Sequence, residues 1–270
     1  MKRACLIVSV TVALGIPLAA QTTPKNKYTQ PTVIPLDSAV YARTESDDGQ
    51  PKAFPLDSTV YGKTYSEWSA EFVQYAFSIP VASNPLMDNG DCSIGQSGPV
   101  WFLGGKVCQI GVPGCTETIT RSCSIPAGTA LFLPIWWVED SALEEPTWGC
   151  GTLPPLISGT ISEMRQCVQN ISNYSLQGAR LEVHVDGHPI GQLWNLRVQS
   201  PVFELTLPGD NVFNAIGEGP FPAGPDGPAV ADGIYVLLSP LSAGSHTVFF
   251  GGTFPNFVNQ RITYKITVAK

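Results

Sequence analysis

The sequence predicts a mainly β fold: a single β-sandwich, jelly-roll or immunoglobulin-like in kind, carrying two short helices. Three observations point there. Apolar residues repeatedly alternate at a spacing of two, 26 Gly and 24 Pro punctuate the 270-residue chain at turn-like positions, and only 14% of residues are charged.

The chain opens with Lys2 and Arg3, an apolar stretch over residues 4–16 and Pro17-Leu18-Ala19-Ala20, the pattern of a secretory signal cleaved near Ala20. That stretch is too short to span a bilayer, and no later segment reaches the roughly 20 apolar residues that a membrane helix needs. No membrane span is expected after cleavage. Cys5 lies at the start of the apolar stretch, where a lipid-bearing cysteine does not sit, and leaves with the signal. Residues 21–53, rich in Thr, Pro, Gln and Asn, read as a flexible stalk, and 54–270 as the sandwich domain. The stalk holds half of a short duplication: Ile34-Pro-Leu-Asp-Ser-Ala-Val-Tyr41 returns as Phe54-Pro-Leu-Asp-Ser-Thr-Val-Tyr61. Two copies are too few for a solenoid, and the pair reads as a local duplication with one redundant copy rather than as two docking strands.

Thr64-x-x-Glu67 is a capping box, followed by Trp68, Phe72, Tyr75, Ala76 and Ile79 on one helical face before Pro80. That aromatic stripe reads as core. Strands follow over 100–103, 116–124 and 129–138, the last apolar on both faces, with Leu131, Leu133, Ile135 and Trp137 on one side and Phe132 and Trp136 on the other. Pro134 implies a bulge there. Thr160-x-x-Glu163 caps a second helix whose inner face carries Ile161, Met164, Val168 and Ile171. The rest is β: 181–185 turns at Asp186-Gly187, then come 202–207, 234–239, 246–251 and a final strand with Ile262, Tyr264, Ile266 and Val268 inward. Residues 209–233 read as a Gly/Pro-rich loop, a candidate site element.

Removing Lys2 and Arg3 from the 15 basic residues leaves 13 against 22 acidic ones, a net charge of −9. A chain of that sign lacks the concentrated positive surface that nucleic acid requires. Six cysteines remain behind the signal, an even number suited to three disulfides in an oxidising compartment. Of the possible pairings we choose Cys92–Cys123, Cys108–Cys115 and Cys150–Cys167, the last two closing short loops. No C-x-x-C occurs, so zinc spacing is missing.

Candidate chemistry is sparse. His184 and His188 flank the Asp186-Gly187 turn, but a two-residue hairpin pairs Val185 with His188, which sends the imidazoles to opposite faces and argues against a metal site. His246, at a turn entering a strand, reads as a structural residue with its ring tied to the loop. Glu139 and Asp140 point to opposite faces if the strand continues, so a carboxylate pair of the glycoside-cleaving kind needs a distant partner such as Asp88 or Asp91. Asp88-Asn89-Gly90-Asp91 offers hard oxygen ligands of the type that Ca2+ takes, without the full spacing of a calcium loop. Trp136, Trp137 and Trp148 bracket the acidic segment 139–145 and are candidate ligand-binding residues. The competing reading places them in the core. G-x-S-x-G, H-E-x-x-H, P-loop and G-x-G-x-x-G signatures are absent.

Tyr61-Gly-Lys-Thr-Tyr-Ser-Glu-Trp68, Gln96-Ser-Gly-Pro-Val-Trp-Phe-Leu103, Cys123-Ser-Ile-Pro-Ala-Gly128 with Phe132-Leu-Pro-Ile135, and Asp232-Gly-Ile-Tyr235 leading to Pro240-Leu-Ser-Ala-Gly-Ser-His-Thr247 resemble an uncharacterised family of exported bacterial proteins. The resemblance spans about residues 60–252 and implies a bacterial envelope or secreted location. It lends no activity. The chain departs from the family's pattern at Phe72 and Tyr75, where members carry Trp, and at Trp136, where a polar residue is usual.

These readings combine into a secreted or periplasmic, non-enzymatic binding or surface-interaction protein. Its expected partner is a polysaccharide or an envelope protein, and no cofactor is required unless Ca2+ binds at 88–91. The alternative is a secreted hydrolase of glycans or esters using Glu139, Asp140, Asp88 and His246.

Overall fold

The computed structural model describes residues 51–107, 117–144, 160–256 and 259–269. Among the described residues two five-stranded mixed sheets form a β-sandwich, joined by three helices. The first sheet contains β1 (Val100–Phe102), β3 (Ala130–Ser141), β6 (Arg197–Gln199), β7 (Phe203–Leu207) and β8 (Gly224–Leu238), in the order β1-β3-β8-β6 with β7 also on β8. The second runs β2-β10-β9-β4-β5, from β2 (Glu117–Ile125), β10 (Gln260–Val268), β9 (Gly244–Thr253), β4 (Arg180–Val185) and β5 (His188–Pro189). Two pairings are parallel, β1 on β3 and β2 on β10. In β10 the alternation is carried out as written: Ile262, Tyr264, Ile266 and Val268 are buried while Arg261, Lys265 and Thr267 are exposed.

Helix α1 (Tyr65–Ser78) starts at the Thr64/Glu67 capping box, with the Thr64 backbone N–H donating to the Glu67 carboxylate at 2.7 Å. It packs on one face of the first sheet, where Phe72 meets Phe132 at 6.1 Å and Trp137 at 5.2 Å between ring centroids. Helix α2 (Ile161–Leu176), capped the same way by Thr160 and Glu163, covers part of the opposite face through Met164 and Val168 against Val138 and Val230. Ile161, expected inward, is exposed, because it occupies the first turn ahead of the contact.

The β3 face assignment is corrected by the structure. The register against β8 shifts between Pro134 and Trp136, leaving Ile135 without a cross-strand partner. Pro134 does interrupt the ladder as expected, and one extra residue exchanges the two faces beyond it. Trp137 therefore shares the α1 face with Phe132, while Trp136 turns to α2, where its indole N–H donates to the Ser172 hydroxyl at 3.2 Å.

One further reading is revised. Residues 209–233 are not one loop: α3 (Val212–Ile216) and the first ten residues of β8 lie within it. Gly224, Pro225, Gly227 and Pro228 disguise that strand, which pairs through Thr206 opposite Pro225 and Phe203 opposite Ala229. The 54–61 copy of the duplication is part of the core. Phe54 and Val60 are buried, the Phe54 N–H donates to the Leu237 carbonyl at 2.8 Å, and the Trp68 indole donates to the Val60 carbonyl at 2.9 Å. The 34–41 copy lies outside the described residues.

Cys92 and Cys123 form a disulfide, tying the segment after α1 to β2. Cys167 is also disulfide-bonded. Cys150, Cys108 and Cys115, named in the other chosen pairings, lie outside the described residues. No helix among the described residues is long and apolar enough to cross a membrane.

Candidate functional site

Strand β1 pairs only with residues 130–132, so from Pro134 onward the outer edge of β3 has no strand beside it among the described residues. A cleft of about 150 Å³ lies along that edge. Trp136 and Trp137 line it from β3, Phe213 and Ile216 from α3, and Lys106 from the segment after β1. Both tryptophans line it although, as consecutive strand residues, each occupies a different face of the strand. Trp136 is only 5% exposed and packs on Phe254, with ring centroids 5.3 Å apart. Trp137 is half-buried, with Phe72 and Phe77 against it. Trp148 lies outside the described residues. Among the described residues the freely exposed indole is elsewhere: Trp194, 51% exposed, in the turn after β5.

Glu139, Glu144 and Glu218 also line the cleft. Glu139 continues the α1-side series of β3, two residues after Trp137. Glu144 reaches it because residues 141–144 close a tight turn: the Glu144 N–H donates to the Ser141 carbonyl and the Ser141 N–H to the Glu144 carboxyl, both at 3.1 Å. Asp226, at the start of β8, locks this turn by accepting from the Ser141 hydroxyl at 2.8 Å and the Leu143 N–H at 3.3 Å.

The Glu139 and Glu144 carboxyls interact with each other, a contact that lowers Glu139 and raises Glu144. Burial pushes both well above the ordinary carboxylate range, and the charges of Asp140 and Glu218 push the same way. Burial also raises Glu218, to about 7, and raises Asp226 against the two hydrogen bonds it accepts. Glu139 is 7% exposed, and its Oε2 has no hydrogen-bond partner among the described residues. Sequence reasoning found Glu139 but looked to Asp88 or Asp91 for its partner. Glu144, Glu218 and Asp226 were missed.

The other candidates do not join this site. Asp88 accepts from Arg121 at 2.6 Å and faces the Lys106 ammonium at 3.4 Å, while Asp91 caps its own Ser93. With its charge matched by two cations, Asp88 is a surface ion-pair partner. No group of three or more His, Cys, Asp or Glu placed to hold a metal occurs among the described residues. Asp140 is buried and lies on the α2 side of β3, behind the cleft. His184 pairs with Pro189 and Val185 with His188 across an Asp186-Gly187 turn with positive φ at both central residues, so the two imidazoles diverge.

His246 sits between Asp186 Oδ2 (2.7 Å from Nδ1) and Ser242, whose carbonyl lies 2.8 Å and hydroxyl 3.4 Å from Nε2. Serine, histidine and aspartate are thus in sequence along one line. A ring nitrogen aimed at a carbonyl oxygen carries its hydrogen there, however, and offers the Ser242 hydroxyl no lone pair. The imidazole acts as a clamp between the β4–β5 turn and the loop entering β9.

No family model matches the chain, and no curated protein matches it. Solved structures that align with it include PbICP-C in complex with falcipain-2, at 13% identity over 63% of this chain and 99% of that one, with a TM-score of 0.23. The cysteine protease inhibitor EhICP2 from Entamoeba histolytica aligns at 11% identity over 57% of this chain and 95% of that one, with a TM-score of 0.18.

Proposed function

We propose that this protein is an extracytoplasmic, non-enzymatic binding protein that holds a small, largely apolar molecule in the cleft along β3. The supporting observation is the pairing of an aromatic wall, Trp136, Trp137 and Phe213, with one buried carboxyl oxygen, Glu139 Oε2, that lacks a protein partner among the described residues. Concave, mostly apolar sites with a few convergent polar groups are the usual form of small-molecule pockets. A location outside the cytoplasm, secreted or periplasmic, fits the Cys92–Cys123 disulfide.

Glycan binding by sugar stacking has less support, because Trp136 presents almost no free ring face. The hydrolase reading has one observation in its favour, the raised carboxyl pair. The two groups are in hydrogen-bond contact, however, whereas glycoside cleavage places its carboxyls about 5–9.5 Å apart.

Titration calorimetry with 2-phenylethanol tests the binding reading. Saturable binding to the native protein, lost in Ile216→Trp with melting temperature preserved, is the expected result. Equal binding by the filled variant would place the ligand elsewhere and remove this reading.

A further inference from the structure

We infer that the surface on which residues 53–61 lie is a peptide-docking site with two ligands in one chain: 53–61, which occupies it, and 33–41, the earlier copy of the repeat, which exchanges with it.

The docked copy is held mainly through its backbone. Ala53 bridges Leu238 at the end of β8, the Phe54 N–H donates to the Leu237 carbonyl at 2.8 Å, and the Phe54 carbonyl accepts from the Tyr65 hydroxyl at 2.6 Å. At the far end the Val60 carbonyl accepts from the Trp68 indole at 2.9 Å. Such bonds admit any segment of the same shape, and side-chain pockets then select among segments. Here the buried side chains are Phe54 and Val60, while residues 55–57 and Thr59 are exposed.

The earlier copy meets both requirements. Ile34 stands where the resident copy has Phe54, Val40 repeats Val60, and Pro35-Leu-Asp-Ser38 repeats Pro55-Leu-Asp-Ser58 unchanged. The match continues through Arg43 for Lys63 and Thr44 for Thr64, and it stops where α1 needs Trp68, since Asp48-Gly49-Gln50 stands in place of Trp68-Ser69-Ala70. The chain thus encodes the docking strand twice and the helix behind it once.

Two differences rank the ligands. Tyr61 and Gly62 take positive φ, 50° and 82°, in the turn closed by the Val60–Lys63 bridge, and Ala42 stands at the Gly62 position, where a Cβ is strained. Ile34 also fills the Phe54 pocket less completely. The earlier copy is therefore the weaker ligand and holds the site for a minor share of the time. Its docking leaves residues 42–63 as a loop, whose closure cost grows only slowly with length. A second chain's copy would compete with the resident strand without that tether, so exchange runs within one chain. Exchange moves the point at which the N-terminal segment leaves the sheet from Ala53 to Val33 and turns Phe54 and Val60 out to solvent.

Cysteine trapping on the full chain tests this. Residues opposed across an antiparallel bridge lie within disulfide reach, so Ala53→Cys with Leu238→Cys should cross-link. Val33→Cys with Leu238→Cys should give an internal cross-link, formed roughly tenfold more slowly, as peptide mapping would show. Equal trapping of Ser46→Cys, which is out of register, overturns the inference. So does a covalent dimer in place of the internal cross-link, or no bond from position 33 to position 238.

Thermal unfolding without introduced cysteines gives a second reading. Ile34→Ser with Val40→Ser should leave the melting temperature within about 1 °C, and Phe54→Ser with Val60→Ser should lower it by several degrees while the chain still folds. All four together should lower it by about 5 °C more, because no copy remains to dock. Equal melting of the Phe54/Val60 variant with and without the earlier copy, or its failure to fold, overturns the inference.

Discussion

At the scale of the residue, the decisive contact is between Glu139 and Glu144. Their separation of five positions spans a strand end and a turn, and that turn is held by Asp226 on β8. Sequence periodicity places Glu139 and Asp140 on opposite faces correctly but has no access to a turn whose lock lies more than eighty residues away. Replacing Glu139 by Gln keeps a group that can bond Glu144 and removes a buried acid. We expect the variant to melt several degrees higher than the native protein at about pH 8, roughly 1 kcal/mol, and at the same temperature near pH 5, as calorimetry would show. His246 carries the opposite lesson. Asp186→Asn should cost about 1 kcal/mol in urea unfolding by weakening the clamp, while cleft binding of 2-phenylethanol stays unchanged.

At the scale of the element, local chemistry was readable and non-local pairing was not. Both capping boxes and the Asp186-Gly187 hairpin depend on residues within a few positions of each other, and all three form as the spacing dictates. Thr64→Ala should lower stability by about 1 kcal/mol in a urea titration. β3 shows the limit of pattern reading: Pro134 announced a bulge, yet only the register against β8 reveals that Ile135 is the extra residue and that Trp136 and Trp137 exchange sides. β8 shows another limit, since its glycines and prolines mimic a loop and its identity comes from β7 and β3. The Cys92–Cys123 bridge closes a loop of 31 residues, and Cys92→Ser with Cys123→Ser should lose roughly 3–4 kcal/mol in the chain-entropy account, read as a drop in urea midpoint.

At the scale of the molecule, the buried acids set the response to pH. Carboxyls with folded-state pKa values above their unfolded ones bind more protons in the native state, so stability falls as pH rises through the shifted range. Glu218, raised to about 7, and Glu139, Glu144 and Asp226, raised by burial, all act in this direction. Glu67, lowered by its hydrogen bonds to Thr64, acts oppositely, and its contribution is lost only on acidification below the ordinary carboxylate range. Thermal unfolding should therefore show a higher midpoint near pH 5 than near pH 8. A flat profile across that interval would remove the protonated cluster.

The position of β10 sets an order of assembly. It lies between β2 and β9, and β2 has no other neighbour among the described residues. An early segment must thus wait, with both edges bare, for the last strand to be synthesised before its sheet can close. A polypeptide halted before Gln260 would keep its first helix and the β3–β8 ladder yet expose an unpaired ribbon, a ready template for self-association.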